Sequence, residues 1–146
     1  MTPRQWFFRV MLTLFCCLPL AAQACFEEAA EQHDVPVDVL KAIAKIESGG
    51  NPNAMARSKN GTMYIGLMQI GTGWLPTLAK FGITREKLKD RCTNVQTAAW
   101  ILAGYVARYG DLWAAVEAYH SGFPRKAQLY SKRVQRLMPP SALAQE

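Results

Sequence analysis

Histidine is scarce in this 146-residue chain, which carries only His33 and His120, and its four cysteines show neither C-x-x-C nor His-Cys spacing. Zinc binding and dithiol redox chemistry both need such clustered ligands, so no metal and no cofactor is expected. A glycine-rich phosphate loop is missing, as is any basic run interleaved with aromatics, which argues against nucleotides and nucleic acid as partners. Internal repeats, linkers and low-complexity tracts are absent too, and the length suits one compact domain. Carboxylates are thin: 11 in all, with none between Glu47 and Glu86. A glycosidase that uses two carboxylates needs a second acid facing the first across the scissile bond. The acid-free interval withholds the nearest source of one, so sugar chemistry here would rest on a single carboxylate.

What is present begins with a leader. Arg4 and Arg9 form a basic head, Val10 to Leu20 is mostly apolar, and Ala22-Gln23-Ala24 is a small-residue cleavage motif. The apolar part is short for a membrane span, so residues 1–24 read as a cleaved signal peptide and the protein as exported to the periplasm. Acylation of Cys25 would need a larger apolar residue where Ala22 stands. The mature chain, residues 25–146, keeps 15 basic and 11 acidic side chains. That modest positive balance suits an anionic surface such as a cell envelope, and equally suits plain solubility. Cys25 and Cys92 remain as an even pair, and an oxidising compartment would join them. Such a bridge closes a loop of about 67 residues, worth roughly 4 kcal/mol on the chain-entropy account.

The stretch from Val35 to Ile70 organises the rest. Val39, Leu40, Ile43 and Ile46 recur at helical spacing, Pro36 suits the first turn, and Gly49-Gly50 is a stop signal. Glu47 therefore sits in the last turn of an amphipathic helix. A carboxylate there opposes the helix dipole by about 0.3–1 kcal/mol, and an apolar pocket would disfavour its charge further. A carboxylic acid kept protonated near neutral pH is a general acid. The other acids have ordinary readings as caps, first-turn charges or solvated faces, Glu117 among them. Around Lys59-Asn60-Gly61 the chain carries turn chemistry, and a small β-hairpin near residues 55–65 is the only strand structure expected.

The remaining pattern is helical. Phe26 to Gln32 reads as a short helix, Trp74 to Phe81 as another ended by Gly82, and Thr84 as the cap of a third. Asn94 reads as the cap of a long helix through Val95, Ala98, Ala99, Leu102 and Val106, stopped at Gly110; Asp111 caps the next. Pro124 opens a basic last helix that Pro139-Pro140 ends, and residues 138–146 read as a tail. His33 reads as a surface or capping residue. The fold class is mainly α, a single helical domain.

Three segments carry a resemblance. Ala44-Lys45-Ile46-Glu47-Ser48-Gly49-Gly50-Asn51-Pro52, Gly66-Leu67-Met68-Gln69-Ile70 and Ala118-Tyr119-His120-Ser121-Gly122 resemble, in order, the motifs of the soluble lytic transglycosylases. The match spans about residues 25–130. Cys25-Phe26 and Asp90-Arg91-Cys92-Thr93-Asn94, with the short length, resemble the stand-alone IagB/IpgF-like members linked to type III secretion, type IV pili or conjugation. The resemblance implies an α+β lysozyme-like fold and a peptidoglycan substrate. Glu47 would protonate the oxygen between N-acetylmuramic acid and N-acetylglucosamine, and the substrate's own acetamido oxygen would stand in for the second carboxylate. The ionised Glu47 would then take the proton of the muramyl C6 hydroxyl, closing a 1,6-anhydro ring without water. Ser48 would support the helix end, Gln69 and the backbone around Met68 would hold the sugar, and Tyr119 would orient the acid. Ser58 would correspond to a serine that the family often carries between its first two motifs.

One departure is His120, where the family usually has asparagine. Imidazole still donates a hydrogen bond, and a histidine can gain charge below about pH 6.5. The expectation is an exported, monomeric lytic transglycosylase opening the wall for an envelope-spanning machine. Its rivals are a muramidase that admits water and a non-catalytic wall-binding assembly factor, toward which His120 leans.

Overall fold

The computed structural model describes residues 18–120 and 124–143. Helix α1, Leu18–His33, is longer than the sequence pattern suggests and runs through the Ala22-Gln23-Ala24 motif. It buries Cys25, Phe26 and Ala29 and exposes Glu27, Glu28 and Glu31. The first 17 residues of the expected leader lie outside the described residues. At Asp34 the backbone turns left-handed, φ +52°, and Val35 N–H returns to the Ala30 carbonyl at 3.1 Å.

Helix α2, Val37–Ser48, buries Val39, Leu40, Ala42, Ile43 and Ala44, the stripe its periodicity demands. Pro36 is its N-cap rather than a first-turn residue; its missing N–H costs nothing at a position with no helical partner to bond. Gly49, at φ +66°, ends the helix, and the N–H groups of Gly49 and Gly50 bond the carbonyls of Lys45 and Ala44. That left-handed stop is what leaves Glu47 at the helix end.

The sheet is antiparallel, in the order β1 (Met55–Arg57), β2 (Met63–Ile65), β3 (Ile70–Gly71). The expected hairpin is there, with Met55 opposite Ile65, and a third short strand adds to it. Residues 72–81 form one helical passage: a 3-10 turn, α3 (Leu75–Leu78) and a second 3-10 turn, stopped by Gly82.

Helix α4, Arg91–Tyr109, is central, with α1 packed on one side and α5, Leu112–His120, on the other. Buried Ala98 and Ala99 let the neighbours approach closely. Helix α6, Pro124–Leu137, packs on both α5 and α2, so α2, α1, α4, α5 and α6 close into a ring. The Cys25–Cys92 disulfide ties α1 to the first turn of α4, with Cα atoms 5.1 Å apart. Asp111 caps α5 as its position suggests, accepting from Ala114 N–H at 2.7 Å.

Two expectations need correcting. Asn94 does not cap α4; Asp90 does, accepting from Thr93 N–H and Thr93 Oγ1, each at 2.8 Å. The chain also stays packed beyond residue 137: Met138 is 7% exposed, and Ala142, in α7 (Pro140–Leu143), lies against the core.

Candidate active site

Ring closure brings α6 over the end of α2, and there the hydroxyl of Tyr130 donates to Glu47 Oε1 at 2.6 Å. Glu47 is only 18% exposed. Burial raises its pKa above the ordinary glutamate value of 4.5, and the Tyr130 donor, His120 and Arg133 pull it back only in part. The site thus favours the protonated acid, as its helix position suggests, with burial as the leading cause.

His120 ends α5. Its ring stacks parallel on Tyr130, with centroids 4.3 Å apart and planes 9° apart. Its Nδ1 stands 3.9 Å from Glu47 Oε1, and its side chain is 41% exposed. It also lines a groove of about 400 Å3 together with Tyr119, Gln69, Thr62, Trp74 and Tyr105. His120 therefore joins the buried acid to the open groove. Its two motif neighbours, Ser121 and Gly122, lie outside the described residues.

Tyr119 does not reach the acid with its hydroxyl. The group donates to the Met68 carbonyl at 2.9 Å, and burial, with the nearby charge of Glu47, keeps it protonated well above the usual tyrosine range. The orienting bond expected of Tyr119 is made by Tyr130 instead. Tyr130 carried a readable signal: Ala127, Tyr130 and Val134 share one face of a helix, and a buried tyrosine hydroxyl needs a partner.

The second motif is a tightly held turn. At Gly66, φ +78°, a Cβ would fall 2.5 Å from Asn94 Nδ2, so only glycine fits. Asn94, wholly buried, accepts from Met68 N–H at 2.7 Å and donates to the carbonyls of Ile65 (2.9 Å) and Leu88 (2.8 Å). Met68 is a core side chain, 0% exposed, and its N–H is consumed by Asn94, so it offers the groove no donor. Gln69 sits at φ +51°, a conformation a non-glycine residue seldom takes, pinned by its Nε2 bonds to the carbonyls of Gly66 (2.8 Å) and Ala54 (3.3 Å). Those bonds occupy its amide nitrogen and leave its carbonyl oxygen as the atom for a ligand donor.

Ser48 bonds back to the Ala44 carbonyl at 3.1 Å, satisfying the end of α2. Ser58 lies in the β1–β2 turn, bonded to Asn60 Oδ1 and to the Thr62 carbonyl; the groove is lined from this turn by Thr62, which the sequence did not single out. Glu117 borders a separate depression with Arg108, Tyr109 and Ala127. Among the described residues no cluster of three metal-ligating side chains occurs.

Comparison with known proteins gives the chain a family. Residues 24–136 match the family described as the transglycosylase SLT domain. The chain is 36% identical over 116 residues to protein IpgF of Shigella flexneri, covering 78% of this chain and 76% of that protein. It is 31% identical over 135 residues to invasion protein IagB of Salmonella typhimurium, covering 89% and 84% respectively. With X polypeptide of Escherichia coli it shares 33% identity over 131 residues, covering 89% and 76%.

Proposed function

The chain belongs to the transglycosylase SLT domain family, and on that premise we propose that it cleaves peptidoglycan between N-acetylmuramic acid and N-acetylglucosamine, leaving a 1,6-anhydro end. The observation that carries the reading is the buried, proton-favouring Glu47 held by Tyr130 beside a groove. Both described contacts of its carboxyl fall on Oε1. The proton then resides on Oε2, which donates it to the glycosidic oxygen as the bond to the muramyl C1 breaks. The acetamido oxygen of the same sugar supports the electron-poor centre. Glu47, now ionised, takes the C6 hydroxyl proton as O6 bonds to C1, so the acid returns to its starting form.

In this reading Gln69 and Thr62 hold the sugar's polar groups, and Trp74 and Tyr105 meet its apolar face; all four line the groove. Tyr119 acts through Met68 as a brace between α5 and the Gly66–Gln69 turn. The leader expected over residues 1–24 would deliver the chain to the periplasm, where it would act as a monomer. The Salmonella typhimurium relative is named an invasion protein; in this reading the present chain opens the wall locally for an envelope-spanning secretion, pilus or conjugation machine.

The test uses purified sacculi. The wild-type chain should release products with anhydro ends, one water lighter than hydrolytic products by mass spectrometry. Glu47→Gln should fold and lose about 10²–10⁴-fold in rate. Hydrolytic products alone would make the protein a muramidase, and an active Glu47→Gln would remove the assignment.

A further inference from the structure

One row of aromatic rings begins in the groove and runs beyond it. Phe81, 64% exposed, meets Trp100 edge-on with ring centroids 5.8 Å apart. Trp100 meets Trp74 at 5.9 Å, and Trp74 meets Tyr105 at 6.4 Å. Trp74 and Tyr105 line the groove beside Tyr119 and His120. The row is thus continuous with the groove and ends at Phe81, which does not line it.

Beyond Trp100 it opens into a depression of about 440 Å3 that mixes Phe81, Ile83 and Trp100 with Gln32, His33 and Gln96. His33 Nε2 and Gln96 Oε1 lie 3.2 Å apart, each holding the other in place. Among the described residues, no lysine, arginine, aspartate or glutamate lines it.

Edge-to-face packing fixes these rings before any ligand arrives, which lowers the ordering cost of binding. Aromatic faces with a few amides at the rim suit a ligand that is apolar on one side and rich in neutral hydroxyl and amide groups around its edge. A pyranose ring with an N-acetyl group has that chemistry. A charged peptide would find no counter-charge in the depression.

We propose that the depression bounded by Phe81 and Trp100 is a second glycan-holding site, which takes neutral sugar units of the same strand that occupies the groove, away from the bond being cut. This rests on the reading of the protein as a glycan-cleaving enzyme. Two linked sites on one strand raise the effective concentration at the second, so long strands gain affinity and short ones do not.

The experiment compares long glycan strands, stripped of peptide, with a tetrasaccharide of the same sugars. Phe81 is exposed and lies outside the groove, so Phe81→Ala should keep its fold, checked by its melting temperature. Its KM for long strands should rise about tenfold with kcat unchanged, its turnover of the tetrasaccharide should stay at the wild-type level, and Phe81→Tyr should restore the long-strand KM. Binding of long strands to Glu47→Gln and to Glu47→Gln with Phe81→Ala should differ by the same factor. If Phe81→Ala leaves both substrates unaffected, or weakens both equally, the proposal is overturned while the enzyme reading stands. If the wild-type chain neither binds nor cleaves either substrate, both fall together.

Discussion

Tyr130 and Glu47, 83 positions apart in sequence, meet at 2.6 Å, the phenol donating to the carboxylate. The bond aims the carboxyl and at the same time partly opposes the burial that keeps it protonated. Burial and the Glu47 charge in turn push the Tyr130 hydroxyl far above the ordinary tyrosine range, so it stays a donor at every working pH.

Tyr130→Phe should therefore have two effects of different kind. Loss of aim should lower kcat by about 10–100-fold. Loss of a donor that favours the ionised form should let Glu47 hold its proton to higher pH, moving the alkaline limb of kcat/KM upward. A pH–rate profile of the variant checks both; a purely structural tyrosine would lower stability and leave the limb where it was.

His120→Asn probes the imidazole 3.9 Å from Glu47 Oε1. A positive His120 favours the ionised carboxylate, with Arg133 acting the same way more weakly and Tyr130 supplying the hydrogen bond. Tyr119, buried on α5, stays neutral beside them. Asparagine takes away the His120 contribution that lowers the Glu47 pKa, so the alkaline limb should again move up, while the loss of ring stacking on Tyr130 should cost about 0.5–1.5 kcal/mol of stability. An unmoved limb would mean that His120 has no hold on the Glu47 proton.

Glu47→Gln should also report on stability. The folded acid has a pKa above its unfolded value, so its favourable contribution is complete below the unfolded value and is lost as pH rises through the folded one. Glutamine does not titrate. The melting temperature of the variant relative to wild type should therefore climb as pH rises from the ordinary glutamate range through the raised pKa of the folded acid. A difference that is constant with pH would contradict the burial of the acid.

Asn94→Ala removes three buried hydrogen bonds at once and orphans Met68 N–H and the carbonyls of Ile65 and Leu88. At about 1–3 kcal/mol for each stranded group, the loss should reach at least 3 kcal/mol, read by denaturant unfolding. Asn94→Asp should be nearly as damaging, since a carboxylate accepts from Met68 but donates to neither carbonyl. A drop below about 1 kcal/mol would mean that water replaces the clamp.

Much of the site was legible in the sequence because it obeys short-range rules. The stripe Val39, Leu40, Ile43 and the glycine stop at Gly49 place Glu47 at a helix end without reference to any other part of the chain. Asp111 as a cap and the turn at Asn60-Gly61 follow from the same i to i+4 chemistry. Asn94 misleads for the same reason: asparagine before an apolar periodic run looks like a cap, yet two of its three partners, Met68 N–H and the Ile65 carbonyl, lie 26 and 29 residues away.

The amino-acid order alone determined a helical domain, one candidate acid at a helix end, and the turn at Asn60-Gly61, since each rests on neighbours within a helical turn. Only the tertiary structure decided which tyrosine holds that acid, that His120 stacks on it, and that an aromatic row continues past the groove. Those pairings depend on how five helices close into a ring, and no local spacing encodes which side chains such a closure brings together.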